Sequence, residues 1–151
     1  MSDDDAPVEG TTPEEAETTE ADRIALAALI LELRQRGHAD RRVLGVIESI
    51  PRRFFLDRRH QGLAYRDVAL PIECGQTISQ PAVVAMMTEA LRLFPEAEVL
   101  EVGTGSGYQT AVLARLARRV TSLERYRSLA FLARQRLDAL KIDNASILVA
   151  D

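Results

Sequence analysis

The chain has no Trp, a single Cys in 151 residues, and only 5% aromatic side chains. One thiol, Cys74, excludes an intramolecular disulfide and any multi-cysteine zinc site. The two histidines, His38 and His60, stand without an acid or second His at ligand spacing on a recognisable element, and no metal site is expected. Long apolar runs are missing too: the longest, Ile24 to Leu33, has about half the length that a bilayer span needs, and Glu32 interrupts it. The N-terminus lacks a basic region followed by an apolar one, so no secretory signal is read and the expected compartment is the cytoplasm. The triplet Asn144-Ala145-Ser146 therefore reads as a chance glycosylation sequon. With 46% apolar residues, eight Gly and six Pro, the collagen-like, disulfide-rich and wholly disordered classes fall away, and the length suits one globular domain.

Charge is unevenly spread. Residues 1–22 carry nine acids and no Lys or Arg, so the formal −4 divides into −9 for this segment and +5 for residues 23–151. With two Pro, repeated Thr and almost no large apolar side chain, residues 1–22 read as a disordered acidic tail, and residues 23–151 as the folded part. An interaction arm is the alternative for the tail. The +5 is diffuse and poor in interleaved aromatics, so no nucleic-acid partner is expected.

Along the folded part, Ile24, Ala27, Ala28 and Leu31 share one helical face, with Gly37 as the stop. Asp40 stands as an N-cap before Val43, Leu44 and Ile47, on a short helix that Pro51 ends. Residues 52–76 show no sustained period and read as loop. Ser79 is a plausible N-cap for a helix with Pro81 in its first turn and Val83, Met86, Met87, Ala90 and Leu91 as its apolar stripe, the methionines filling core. A short apolar strand over residues 98–102 then runs into Gly103-Thr104-Gly105-Ser106-Gly107. A helix over 108–118, a strand over 120–123 closed by Glu124, a helix over 127–141 and a strand over 146–150 follow. This order is that of a parallel α/β sheet.

In such a sheet, ligands sit at the carboxyl ends of the strands, where glycines allow close backbone approach and an acid ending the second strand meets a ribose diol. Glu124 fits that place. Dinucleotide sites use Gly-x-Gly-x-x-Gly around a pyrophosphate, whereas here the third glycine comes one residue early and Glu101 precedes the loop. An acid there would repel a pyrophosphate and suits a cation bearing an ammonium and a sulfonium, which favours S-adenosylmethionine over NAD. A tight strand-to-helix turn that holds no ligand is the bland alternative.

Two stretches together resemble the protein-L-isoaspartate O-methyltransferase family: Ala64-Tyr65, Leu70-Pro71-Ile72, Gly75-Gln76-Thr77-Ile78-Ser79-Gln80-Pro81 and Met87-Thr88-Glu89, with Val99 to Gln109 and Glu124-Arg125. The likeness runs from about Ile24 to Asp151. It implies an α/β, Rossmann-like S-adenosylmethionine-dependent methyltransferase fold with N-terminal helices, and methyl transfer to the α-carboxylate of L-isoaspartyl residues in protein repair. By position, Ser79 matches the family's active-site serine, and Thr77 joins it at the junction of cofactor and acceptor. Gly103 and Glu124 match cofactor contacts, with Glu101, Gly105 and Gly107 in the same loop motif, and Asp151 aligns with an Asp bordering the adenine. Glu73 stands where many members carry Gly. The resemblance implies isoaspartyl proteins and peptides as partners, with a monomer acting away from membranes. A small-molecule or nucleic-acid acceptor, or a non-catalytic module, are the competing readings. The family's sheet has seven strands and only three are legible, so an incomplete parallel sheet, an open edge on the first strand and an inactive N-terminal portion of a longer protein are expected.

Overall fold

The computed structural model describes residues 18–151, and most of the expected acidic tail lies outside them. The first helix is capped by Thr19, whose hydroxyl accepts from the Asp22 amide (3.1 Å) while the Asp22 carboxylate accepts from the Thr19 amide (3.0 Å). This reciprocal cap starts α1, Glu20–Gln35, three residues before the expected boundary at 23, so Glu20 to Asp22 belong to the fold. The sequence T-E-A-D is a start signal that its acidity disguised. The buried ridge of α1 is Leu29, Ile30 and Leu33, whereas Ile24 and Leu31 face outward, correcting the expected stripe. Gly37 ends the helix at φ 99°, where its amide donates to Arg34 and that of His38 to Leu33.

Asp40 caps α2, Arg41–Ser49, through Arg42 and Val43, and Val43, Leu44 and Ile47 are buried as expected. The stretch read as loop is irregular but not peripheral. Short 3-10 turns at Arg52–Phe55 and Gln61–Leu63 deliver Phe54, Phe55 and Tyr65 to the core, where Phe55 meets Tyr108 edge to face at 5.3 Å. Arg52 is 1% exposed and donates to the carbonyls of Ala64 (2.6 Å), Val68 (3.0 Å) and Ser79 (3.2 Å), joining three loops. Strands β1, Leu70–Pro71, and β2, Thr77–Ile78, form a two-residue antiparallel ladder.

Helix α3, Pro81–Leu91, has Pro81 in its first turn, but Gln80 occupies the cap position and makes no side-chain cap. Ser79 is one residue too early. Asp67 caps from a distance instead, its Oδ1 accepting from the Ala82 amide at 2.7 Å while Arg36 pairs with its other oxygen. The expected stripe of α3 is likewise corrected. Ala82, Val84, Ala85 and Thr88 pack inward, while Met86, Met87 and Leu91 are more than half exposed. Small residues let this helix approach its neighbours, and the bulky apolar ones are left on the far side.

The parallel sheet is β3, Glu98–Val102, β4, Arg119–Glu124, and β5, Ala145–Val149, in that spatial order. Helices α4, Tyr108–Ala114, and α5, Arg127–Ala139, make the crossovers. The register sets Glu101 beside Ser122, and Val102 beside Leu123. One face of the sheet is covered by helices. The other carries Leu100, Leu148 and Val102, the last 79% exposed, and β3 is an edge strand among the described residues. Asn144, the sequon residue, donates its side-chain amide to Ala114 (2.8 Å) and Ala117 (3.1 Å), locking the turn after α4. No helix among the described residues is long and apolar enough to cross a membrane.

Burial opposes ionisation of Asp22, but the Thr19 hydroxyl and amide and the Arg53 guanidinium outweigh it and hold the carboxyl below its ordinary range. A depressed folded pKa gives a stabilisation that is complete above the unfolded value of about 4 and lost as pH falls through the folded one. Asp22→Asn is therefore expected to lower the melting temperature at pH 7, and the gap from the parent should close progressively below about pH 4 in thermal melts.

Candidate functional site

The carboxyl ends of β3 and β4 set the geometry. As β3 ends, the amides of Gly103 (2.8 Å) and Thr104 (3.2 Å) both donate to the Leu123 carbonyl, so the glycine loop is pinned across the tip of β4. Gly103, Gly105 and Gly107 have φ of 91°, 55° and 88°, a region that side chains disfavour. The next residue of β4, Glu124, is 5% exposed. Its Oε2 accepts from the Gly105 amide (2.8 Å) and its Oε1 from the Tyr126 amide (3.0 Å), which ties the loop after β3 to the loop after β4.

Between these loops, the hairpin segment and the end of β5 lies a cleft of about 290 Å³, near the lower end of small-molecule sites. Thr77, Gly103, Gly105, Glu124 and Asp151 line it, five residues brought together from four separate stretches. Nothing lies within 4 Å of where a Cβ on Gly103 would stand, so the loop leaves open space on the cleft side. Arg125 and Tyr126 also line the cleft, the Arg125 guanidinium 5.1 Å from the Tyr126 ring centroid and 3.9 Å from the Asp151 carboxylate. The sequence reading quoted Arg125 in the Glu124-Arg125 segment of the resemblance without giving it a site role, and passed over Tyr126. The signal was their position directly after Glu124.

Three expected site residues are elsewhere. The Glu101 carboxylate turns into the protein, where its Oε2 accepts from the hydroxyls of Thr110 (2.5 Å) and Ser122 (2.6 Å), and Ser122 is itself 2.5 Å from the Thr104 hydroxyl. Burial pushes the Glu101 carboxyl up, the two hydroxyls oppose this, and the nearby Glu124 charge adds to the rise. It supports the loop from beneath and does not line the cleft. Gly107 faces α5, where an added Cβ would come 3.0 Å from Ala133 Cβ, so its smallness serves helix packing. Ser79 lies outside the cleft lining, at the surface, with its carbonyl held by Arg52. Each histidine has one carboxylate neighbour, His38 with Glu89 (2.8 Å) and His60 with Asp57 (3.0 Å), and no cluster of three metal-ligating side chains occurs among the described residues.

Two buried cations were also missed, because an arginine in a loop or on a helix has no periodic signature. Arg52 fixes the segment that ends in Ser79, and Arg136 donates to the Ser106 carbonyl (3.1 Å) under the glycine loop.

A parallel sheet with a glycine loop after its first strand, a buried acid ending its second, and a cleft at the strands' carboxyl ends defines an α/β domain of the nucleotide-cofactor-binding class. The family model for protein-L-isoaspartate(D-aspartate) O-methyltransferase matches residues 25–151, and the chain belongs to that family. It is 53% identical over 123 residues to a protein-L-isoaspartate O-methyltransferase of Maricaulis maris, covering 82% of this chain and 58% of that one. It is 56% identical over 121 residues to protein-L-isoaspartate O-methyltransferase 2 of Rhodopseudomonas palustris, covering 80% of this chain and 56% of that one. The chain thus spans a little over half the length of these relatives. A solved protein-L-isoaspartate O-methyltransferase superposes with a TM-score of 0.75 at 29% identity, over 83% of this chain and 42% of its own. A Plasmodium falciparum chain described as a beta-aspartate methyltransferase, in complex with S-adenosyl-L-homocysteine, gives 0.70 at 27% identity, over 82% and 62%.

The two glycines separate by substitution. Gly107→Ala is expected to destabilise the fold more than Gly103→Ala in urea unfolding: both force a side chain to positive φ, but only the first drives a methyl against Ala133.

Proposed function

We propose that the cleft holds S-adenosyl-L-methionine, and that the protein transfers its methyl group to the free α-carboxylate of L-isoaspartyl residues in damaged proteins, a repair reaction. The observation that carries this reading is Glu124, a buried carboxylate at the floor of an open glycine cradle. Each of its oxygens accepts one amide, and a carboxylate oxygen has a second acceptor site, so both are equipped to receive a ribose hydroxyl. Gly103, whose Cβ site is open, would let backbone approach the cofactor, Gly105 would line it, and Asp151 would border its adenine. Family membership and the cofactor product in the Plasmodium falciparum complex support the same assignment.

When bound, the cofactor supplies an electrophilic methyl group on a sulfonium. The rest of the task is positioning. An α-carboxylate with an ordinary pKa of about 3.5 is ionised at pH 7, so no strong base is required. Alignment of two held reactants accounts for roughly 7–11 kcal/mol in favourable cases. Thr77 lines the cleft and Ser79, two residues on, is exposed; in this reading the acceptor would approach beside them, and Ser79 would orient it without acting as nucleophile. Glu101 would support this site from beneath, through its hydrogen bonds with Thr110 and Ser122. The reading takes residues 20–151 as the cofactor-binding portion of a monomeric cytoplasmic enzyme with isoaspartyl proteins and peptides as partners, and with neither nucleic acid nor membrane.

Calorimetry with S-adenosylhomocysteine tests the cofactor assignment. Binding is expected, and Glu124→Ala should weaken it by about 10- to 100-fold, the scale of hydrogen bonds to a charged group; absence of heat from the parent chain would refute it. In a full-length form, Ser79→Ala should lower turnover on an isoaspartyl peptide while leaving S-adenosylhomocysteine affinity nearly unchanged. Unaltered turnover would remove Ser79 from the acceptor site, and equal turnover on the ordinary aspartyl peptide would point to another acceptor.

A further inference from the structure

The turn Glu73–Gly75 leads directly into Gln76 and Thr77, which form one wall of the cleft. It closes on itself: the Ile72 amide donates to the Gln76 carbonyl (2.9 Å), the Gln76 amide to Glu73 (3.2 Å), and the Gln76 side chain to the Cys74 carbonyl (3.1 Å). Cys74 sits at φ 57°, a left-handed conformation that a residue with a Cβ disfavours and that the surroundings must maintain. Two side chains join this turn to α5. Cys74 Sγ is 3.2 Å from Ser128 Oγ, and Glu73 Oε1 is 3.9 Å from Arg136 Nη2.

Arg136 is the more demanding partner. It is 4% exposed, its Nη1 donates to the Ser106 carbonyl in the glycine loop, and its Nε is buried without a hydrogen-bond partner. Among the described residues, Glu73 is the one carboxylate ion-paired with it. Burial pulls the Arg136 pKa down and Glu73 opposes that, as expected of a cation with one counter-charge. A buried guanidinium so sparsely satisfied depends on that carboxylate. The same group therefore touches both walls of the cleft: the glycine loop directly at Ser106, and the Gln76–Thr77 wall through Glu73. Ile72 Cδ1 lies 3.5 Å from where a Cβ on Gly105 would stand, so the segment leading into the turn lies beside the glycine loop.

We propose that Glu73 is a positioning residue for the cleft: paired with Arg136, it holds the Gln76–Thr77 wall against the glycine loop, so that cofactor retention by this chain depends on that ion pair. This rests on the cofactor assignment above. The test is S-adenosylhomocysteine affinity by calorimetry, and melting temperature with and without that ligand, for the parent chain, Glu73→Gln and Glu73→Asp. Glu73→Gln should weaken binding about tenfold, the scale of one partly buried ion pair, with a fall in the melting temperature of the free chain too small to account for that loss and a smaller ligand-induced rise. Glu73→Asp, which keeps the charge, should recover part of the affinity. Raising the salt to about 0.5 M should weaken binding by the parent more than by Glu73→Gln. Affinity within about twofold of the parent in Glu73→Gln would overturn the proposal, at well under 1 kcal/mol. So would a loss of free-chain stability that accounts for the whole effect, or failure of Glu73→Gln to fold while Glu73→Asp binds no better than its stability explains. A parent chain that binds no S-adenosylhomocysteine would overturn the cofactor assignment itself, an outcome distinct from these.

Discussion

The hydrogen bonds that Glu124 receives from Gly105 and Tyr126 are the constraint on which the site depends. A glycine loop alone has too many accessible conformations to form a cradle. Here it is made rigid from the neighbouring strand, through the Leu123 carbonyl and then the Glu124 carboxylate. That is possible only because β3 and β4 pair in the register that sets Val102 beside Leu123. A slip of one residue would turn Glu124 to the opposite face and remove the loop's anchor. Beneath it, Glu101, Ser122, Thr104 and Thr110 form a buried polar cluster tying β3, β4 and α4 together, so the loop is held from below as well as from the side.

Around this junction the protein uses buried charge where loops must be held. Arg52 and Arg136 are both nearly inaccessible, and both spend their donors on backbone carbonyls of irregular segments. Apolar contacts are non-directional and could not specify such segments, whereas a planar guanidinium with fixed donor directions can. The apolar core, with Phe54, Phe55 and Tyr108 at its aromatic centre, supplies cohesion. The arginines supply shape. Burial lowers the pKa of each, which is the electrostatic cost of that arrangement.

What could be read from the sequence divides along the same line. Strand, glycine loop, helix, strand, acid was legible because each step has a local signature, and Gly103, Gly105, Glu124 and Asp151 line one cleft. The roles expected of Glu101 and Gly107 were less legible: a motif marks positions, not the direction in which a side chain leaves the backbone. Glu101 alternates inward on β3 and meets hydroxyls, while Gly107 meets Ala133. Amphipathic reading misjudged α1 and α3 for another reason. On α1 it chose the stripe of Ile24, Ala27, Ala28 and Leu31 over the adjoining Leu29, Ile30 and Leu33, and on α3 it assigned the bulkiest apolar residues to the core, yet α3 packs through Ala82 and Ala85 and leaves Met86 and Met87 outside. Capping failed at Ser79 because Asp67, fifteen residues upstream of the Ala82 amide it accepts from, does the work, a contact no window could reveal.

The central claim is that a single cleft at the strand ends receives the cofactor, and residue-resolved NMR titration with S-adenosylhomocysteine tests it most directly. The account predicts that the largest shifts fall on the amides of Gly103, Gly105, Leu123 and Tyr126 and on Thr77, with the amides of α1 and α2 unmoved. Shifts concentrated elsewhere, for example along the Arg41, Arg42 and Arg115 groove between α2 and the end of α4, or no shifts at all, would contradict it.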